Sequence, residues 1–154
     1  MAPRIDRNTN MTASGPVIRR RGAIAVVHRA GRLLVIRRSD QVVALGAYCF
    51  PGGGIEGEET ETEALVRELQ EELGVDIFPV RRLWRSVTDW SVELAWWLAD
   101  FSADAEIRPA PAEVEQALWL TIEEIRVLPN LLSSNHQFLD ALESGEISIE
   151  GLEA

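Results

Sequence analysis

The sequence predicts an α/β protein, a mixed β-sheet packed between helices. Strand-like runs stand on both sides of one amphipathic segment, and that segment has helical spacing with its own start and stop signals. A second helical pattern follows the last strand-like run, which places helices on more than one side of the sheet. The 154 residues suit one domain with a sizeable core. We read that domain as 16–154, preceded by a mobile polar tail, 1–15, that ends at Gly15-Pro16. Met11 is an alternative start to Met1.

Val17 to His28 and Arg32 to Arg37 are β-like runs joined by Arg29-Ala30-Gly31, which reads as a hairpin turn. Ser39 to Gly46 is a loop, and Ala47 to Phe50 a short strand entering Pro51-Gly52-Gly53-Gly54. That glycine run permits positive φ and close backbone approach, so it reads as a tight loop. A helix follows over roughly 61–73, capped by Thr60 or Thr62, with Glu63 at capping-box distance from Thr60. Ala64, Leu65, Leu69 and Leu73 give its apolar stripe, and Gly74 is its stop. Asp76 to Val87, Trp90 to Phe101 and Glu115 to Leu120 are further strands. Thr121 opens a short helix with Glu124 at capping-box distance, and Ser133 or Ser134 begins a last helix, to Leu142, ended by Gly145.

Composition excludes several classes. The formal charge of −10 argues against a general binder of nucleic-acid backbones. No apolar run is long enough to span a bilayer, and the N-terminus has no signal-peptide core. Cys49 is alone, which rules out an internal disulfide and suits a buried thiol in a reducing, cytoplasmic setting. With only His28 and His136 as partners, a nucleophilic role for it is disfavoured. Eight of the 25 acidic residues fall between Glu56 and Glu72, so part of the excess is local.

Three of those acids share one side of the central helix. Glu68 and Glu72 are four apart and Glu71 is three from Glu68. Carboxylates so spaced repel by about a few tenths of a kcal/mol per pair when solvated. A hard divalent cation reverses the sign, because Mg²⁺ takes its oxygen ligands from a few carboxylates plus substrate phosphates. The plain alternative is a solvated acidic face. Here the glycine loop, the arginine and the apolar stripe come at fixed offsets, which favours a metal site.

The run Gly53 to Val75, GGIEGEETETEALVRELQEELGV, resembles the Nudix box, G-x5-E-x7-R-E-U-x-E-E-x-G-U with U aliphatic. Gly53, Glu59, Arg67, Glu68, Leu69, Glu71, Glu72, Gly74 and Val75 fill every specified position. The resemblance implies an α/β/α sandwich and a metal-dependent hydrolase of nucleoside diphosphates linked to another group, with Mg²⁺ as cofactor and Mn²⁺ as an alternative. It implies Glu68 and Glu72 as the main metal ligands. Glu71 is then a ligand directly or through water and an aid in deprotonating the attacking water, and the Gly52 carbonyl is a further ligand. Glu59 and Arg67 are a structural ion pair fixing the loop to the helix. A further carboxylate comes from beyond the box, Glu113 or Glu115, with Glu113 preferred. Arg38 lies where MutT-type members reach substrate phosphate. Tyr48 or Phe50 precedes the turn where the family places an aromatic, to stack on a base or, as the equal alternative, to pack in the core. Asn135 resembles the asparagine that reads a purine edge, a helix cap being its alternative role. Trp84 or Trp90 is a candidate for stacking on a base, the remaining tryptophans being core residues.

Two departures stand out. The usual E-x-G-E segment reads Glu56-Gly57-Glu58-Glu59, so the glycine is displaced by one position. Cys49 stands where some nucleotide-sanitising relatives carry a carboxylate. The expected reaction converts a nucleoside triphosphate, with an oxidised purine such as 8-oxo-dGTP in the class, to the monophosphate and pyrophosphate. ADP-ribose or nucleotide sugars and dinucleoside polyphosphates are the alternative substrates. A nucleotide-sensing domain without turnover is the alternative of another class. The partner is thus a small molecule containing a nucleotide diphosphate, with no nucleic acid or membrane, and the chain acts as a monomer or homodimer.

Overall fold

The first strand, β1 (Arg20–Val26), carries small and apolar residues that are buried on both faces, which makes it a central strand. The computed structural model describes residues 20–152. On one face Ala23 and Ala25 pack with Leu65, Leu69 and Leu73 of helix α1 (Glu61–Leu73). On the other, Val26 packs with Trp96, with Ile125 of α2 (Ile122–Arg126) and with Phe138 of α3 (Ser133–Ser144). Two apolar cores therefore form, one under α1 and one under α2 and α3.

The strands divide into two four-stranded sheets. In the first, β1 pairs antiparallel with β5 (Gly52–Gly54) and parallel with β7 (Val92–Asp100), which pairs antiparallel with the edge strand β6 (Phe78–Val87). In the second, β3 (Arg32–Arg38) pairs antiparallel with β2 (His28–Arg29), β4 (Tyr48–Cys49) and β8 (Val114–Leu120). The chain changes sheet at Val27, between β1 and β2. Ala30 and Gly31, both at positive φ, make the two-residue turn that brings β3 back along β2.

Local chemistry fixes the helices. The Thr60 hydroxyl accepts from the Glu63 N–H while the Glu63 carboxylate accepts from the Thr60 N–H, so Thr60 is the cap of α1. Thr121 and Glu124 form the same box on α2. Gly74 and Gly145 end α1 and α3 in the left-handed region. Helix α1 is also tied down at its ends. The Glu61 carboxylate accepts from the Trp97 indole at 2.9 Å and from Arg85 at 2.9 Å, and it faces Arg82 at 3.4 Å and Arg21 at 3.5 Å. At the other end the Leu73 and Glu72 carbonyls accept from the N–H groups of Arg108 and Ala110, at 2.7 and 2.8 Å. Among the described residues no helix is long and apolar enough to cross a membrane.

The mixed α/β architecture is as expected, and three local readings need correction. The sheet is split in two, because β3 takes its partners from β4 and β8. The glycine run is a strand as well as a turn. Gly52 sits at φ 150°, where an added Cβ would lie 2.2 Å from the Ala23 carbonyl oxygen, so the close pairing with β1 requires glycine there. The strand expected over 47–50 shrinks to Tyr48–Cys49. The tail read over 1–15 lies outside the described residues.

Candidate active site

Helical spacing places Glu68 and Glu72 one turn apart on α1, and the loop before β8 brings Glu113 against them. One carboxylate oxygen from each of the three lies within 4.8 Å of the others. Glu72 is 6 % exposed, and its Oε1 accepts from the Gly52 N–H at 3.1 Å. Burial, and then the charges of Glu68 and Glu113, push the Glu72 carboxyl up to about 8; the Gly52 N–H and the Arg38 charge act against this. Burial also raises Glu68, against the hydrogen bond from Arg67.

Three convergent carboxylates of this kind are costly unless a cation joins them. The donors are all hard oxygens, which fits a divalent ion such as Mg²⁺. Gly53 makes room for the arrangement, since a Cβ there would lie 2.3 Å from the Glu68 carboxyl carbon. The residues present therefore fit the ion that the sequence implies.

Arg67 holds the loop to the helix. Its Nε donates to Glu59 at 2.7 Å and one Nη to the Gly54 carbonyl at 2.9 Å, while the other Nη reaches Glu68 at 2.9 Å and Glu71 at 3.3 Å. The displaced Gly57 sits at φ 53°, a left-handed position that glycine adopts freely, and Glu59 nonetheless reaches Arg67.

The structure sorts the remaining candidates. Glu71 is half exposed on the rim and paired with Arg67, outside the three-carboxylate cluster. Glu115 points away and faces Arg37 at 3.6 Å. Arg38 donates to the Val43 carbonyl at 2.7 Å. Phe50 is 2 % exposed, packed edge-on against Trp96 and Phe138, so it is a core residue and presents no face to a base. Asn135 is 3 % exposed, and its Oδ1 accepts from the Phe50 N–H at 2.9 Å. It neither offers that acceptor to a ligand nor caps α3, because the phase of α3 turns it inward toward the chain entering the glycine run. Trp84 packs against Trp96 and Phe138 and donates to Glu146, whereas Trp90 is exposed on the turn between β6 and β7. Cys49 is buried, and burial raises its thiol to about 11, which leaves it protonated and unreactive at neutral pH.

Sequence reasoning missed a cleft of about 460 Å³ on the opposite face of β1 from α1. Gly22, Ile24, Val92 and Leu94 line it, and Arg20 and Gly53 among others complete it; the three clustered carboxylates are not part of its lining. Its floor joins β1 to β7, strands some seventy residues apart whose parallel pairing no local pattern announces.

Comparison with known proteins agrees with this geometry. The NUDIX domain model matches residues 18–142. A CTP pyrophosphohydrolase of Escherichia coli (strain K12) is 34 % identical over 110 residues, covering 68 % of this chain and 78 % of that protein. An NAD-capped RNA hydrolase NudC of Stutzerimonas stutzeri (strain A1501) is 32 % identical over 106 residues, 69 % of this chain, which spans only 38 % of that longer relative. Among solved structures, a MutT protein from Methanosarcina mazei Go1 superposes with a TM-score of 0.70 at 20 % identity, over 82 % of this chain and 94 % of that one, a likeness of fold.

Proposed function

The chain belongs to the Nudix family of hydrolases, which act on phosphoanhydride bonds, and on that premise we propose that it cleaves a nucleoside triphosphate to the monophosphate and pyrophosphate with Mg²⁺. The observation that carries this reading is the convergence of Glu68, Glu72 and Glu113 on one another beside the glycine run, where Gly52 donates to Glu72 and Gly53 abuts Glu68. Glu68, Glu72 and Glu113 would hold the cation, with the Gly52 backbone beside them. When bound, the cation neutralises phosphoryl oxygens and makes a water more acidic.

The chain's own groups do the rest. Arg67 fixes the glycine run, so the phosphate chain meets a rigid backbone. Arg38 stands at the end of β3 as the cation for the outer phosphates. Glu71, on the rim, takes the proton of the attacking water as that water adds to phosphorus and the α–β anhydride bond breaks, releasing pyrophosphate. The apolar floor of Ile24, Val92 and Leu94 takes the base. An oxidised purine remains in the substrate class, although Asn135 and Phe50 do not read it.

The test is pyrophosphate release from a panel of nucleoside triphosphates, 8-oxo-dGTP, ADP-ribose and dinucleoside polyphosphates with Mg²⁺, for wild type and Glu72→Gln. We expect turnover of a triphosphate and its near-complete loss in the variant. A variant matching wild type sinks the metal-site assignment. Turnover confined to ADP-ribose sinks the triphosphate reading, and tight binding without turnover across the panel favours a sensing domain.

A further inference from the structure

Ser39, Glu72 and Asn135 are the buried polar side chains among the described residues. Burying such a group is costly unless it is hydrogen-bonded, so what each one holds is informative. Glu72 holds the Gly52 N–H and Asn135 the Phe50 N–H, on the two sides of Pro51. Ser39, 4 % exposed, holds neither of these. Its hydroxyl donates to the Ala112 carbonyl at 2.8 Å, its N–H donates to the Glu113 carbonyl at 3.1 Å, and its Oγ accepts from the Gln41 N–H at 3.2 Å.

We propose that Ser39 is a positioning residue for the acidic cluster, its hydroxyl fixing the Ala112–Glu113 peptide so that the Glu113 carboxylate stands beside Glu68 and Glu72. This rests on the reading of that cluster as the metal site. The loop that carries Glu113 is clamped at two points. Arg108 and Ala110 hang it on the last carbonyls of α1, and Ser39 holds the stretch just before β8. Pro109 and Pro111 have no N–H groups, and within the loop the Glu113 and Val114 N–H groups both donate to the Ala110 carbonyl, at 2.9 and 2.8 Å, which leaves the Ala112 carbonyl to be held by Ser39.

Removing the hydroxyl has a selective effect. Ala112 is exposed, so its carbonyl can turn to water, and the Ser39 N–H still pairs with Glu113. What is lost is the hold on the carbonyl side of the Ala112–Glu113 peptide, whose N–H remains on the Ala110 carbonyl, and with it the tilt of the residue that carries the third carboxylate.

The experiment is calorimetric titration of Mg²⁺ into substrate-free wild type, Ser39→Ala, Glu113→Gln and the double variant, with thermal melts in EDTA for each. Ser39→Ala should bind Mg²⁺ roughly 10-fold more weakly, as expected for loss of a group that orients a ligand. In the Glu113→Gln background the same change should do nothing further. Ser39→Cys keeps the shape with a poor donor, should weaken binding in the same way, and carries the test if the alanine variant does not fold. Wild-type Mg²⁺ affinity in Ser39→Cys or a folded Ser39→Ala, with Glu113→Gln impaired, overturns the proposal alone. An equal loss from Ser39→Ala in both backgrounds also overturns it, since the effect then bypasses Glu113. Wild-type affinity in Glu113→Gln overturns the three-carboxylate reading itself.

Discussion

Replacing Glu72 with glutamine should make the metal-free protein more stable while removing its activity. The Glu72 carboxyl is held up at about 8 against an ordinary value of 4.5, by burial and by Glu68. The unfolded chain has lost that proton by pH 7, whereas the folded one still retains most of it. Folding at pH 7 therefore works against about 2.5 pH units, at about 1.4 kcal/mol each, or about 3 kcal/mol. The sign follows from a raised value. The Glu72 contribution to metal-free stability is at its best below pH 4.5, falls as pH rises toward 8, and levels off above it. Glutamine keeps the shape and an oxygen for the Gly52 N–H but has no proton to lose, so its curve lacks this slope. At pH 7 the variant should melt roughly 6 °C or more above wild type, at about 2–4 °C per kcal/mol for a chain of this size. Melting curves in EDTA between pH 4 and 9 measure it, and repeating them with Mg²⁺ should raise wild type much more than the variant. A variant less stable than wild type at pH 7 without metal, or a wild-type curve with no slope between 4.5 and 8, would refute the reasoning.

Other outcomes follow from neighbouring contacts. Gly53→Ala places a Cβ against the Glu68 carboxyl group and should abolish Mg²⁺ binding with the fold kept, whereas Gly52→Ala drives a Cβ into the β1 backbone and should cost several kcal/mol in a denaturant titration. The hydrogen bonds from Arg67, and then the Glu56 N–H, hold the Glu59 carboxyl down at about 2, so the pair stabilises the fold above pH 4.5 and loses that effect as pH falls toward 2. Arg67→Gln should accordingly raise the pH of acid unfolding, followed by circular dichroism. Phe50→Ala should destabilise by about 3–5 kcal/mol, with relative rates across the nucleotide panel unchanged if the residue serves only the core.

The helix and its acidic residues were legible because everything that defines them is contiguous. Thr60, Glu63, the leucine stripe and Gly74 state a helix, and the spacing of Glu68 and Glu72 follows from it. The third carboxylate is a different case. Glu113 and Glu115 are indistinguishable in composition, and only the pairing of β3 with β8 turns one inward and the other toward Arg37. Asn135 and Phe50 each left two roles open for a related reason, since an amide or a ring beside a motif does not reveal which way its backbone faces. The division into two sheets was hidden as well, because β1 and β2 read as one run until Val27 changes partners. Ser39 carried no signal, since the carbonyls it donates to lie more than seventy residues away.

The fastening of α1 at both ends bears on how the molecule breathes. Glu61 binds its first turn to three strands, and the 108–110 backbone closes over its last carbonyls. Neither end can fray without parting those contacts, so its amide protons should exchange with solvent only when the whole domain opens. The helix that bears Glu68 and Glu72 would then behave as a fixed rail, holding the spacing of the two carboxylates through every motion short of global opening.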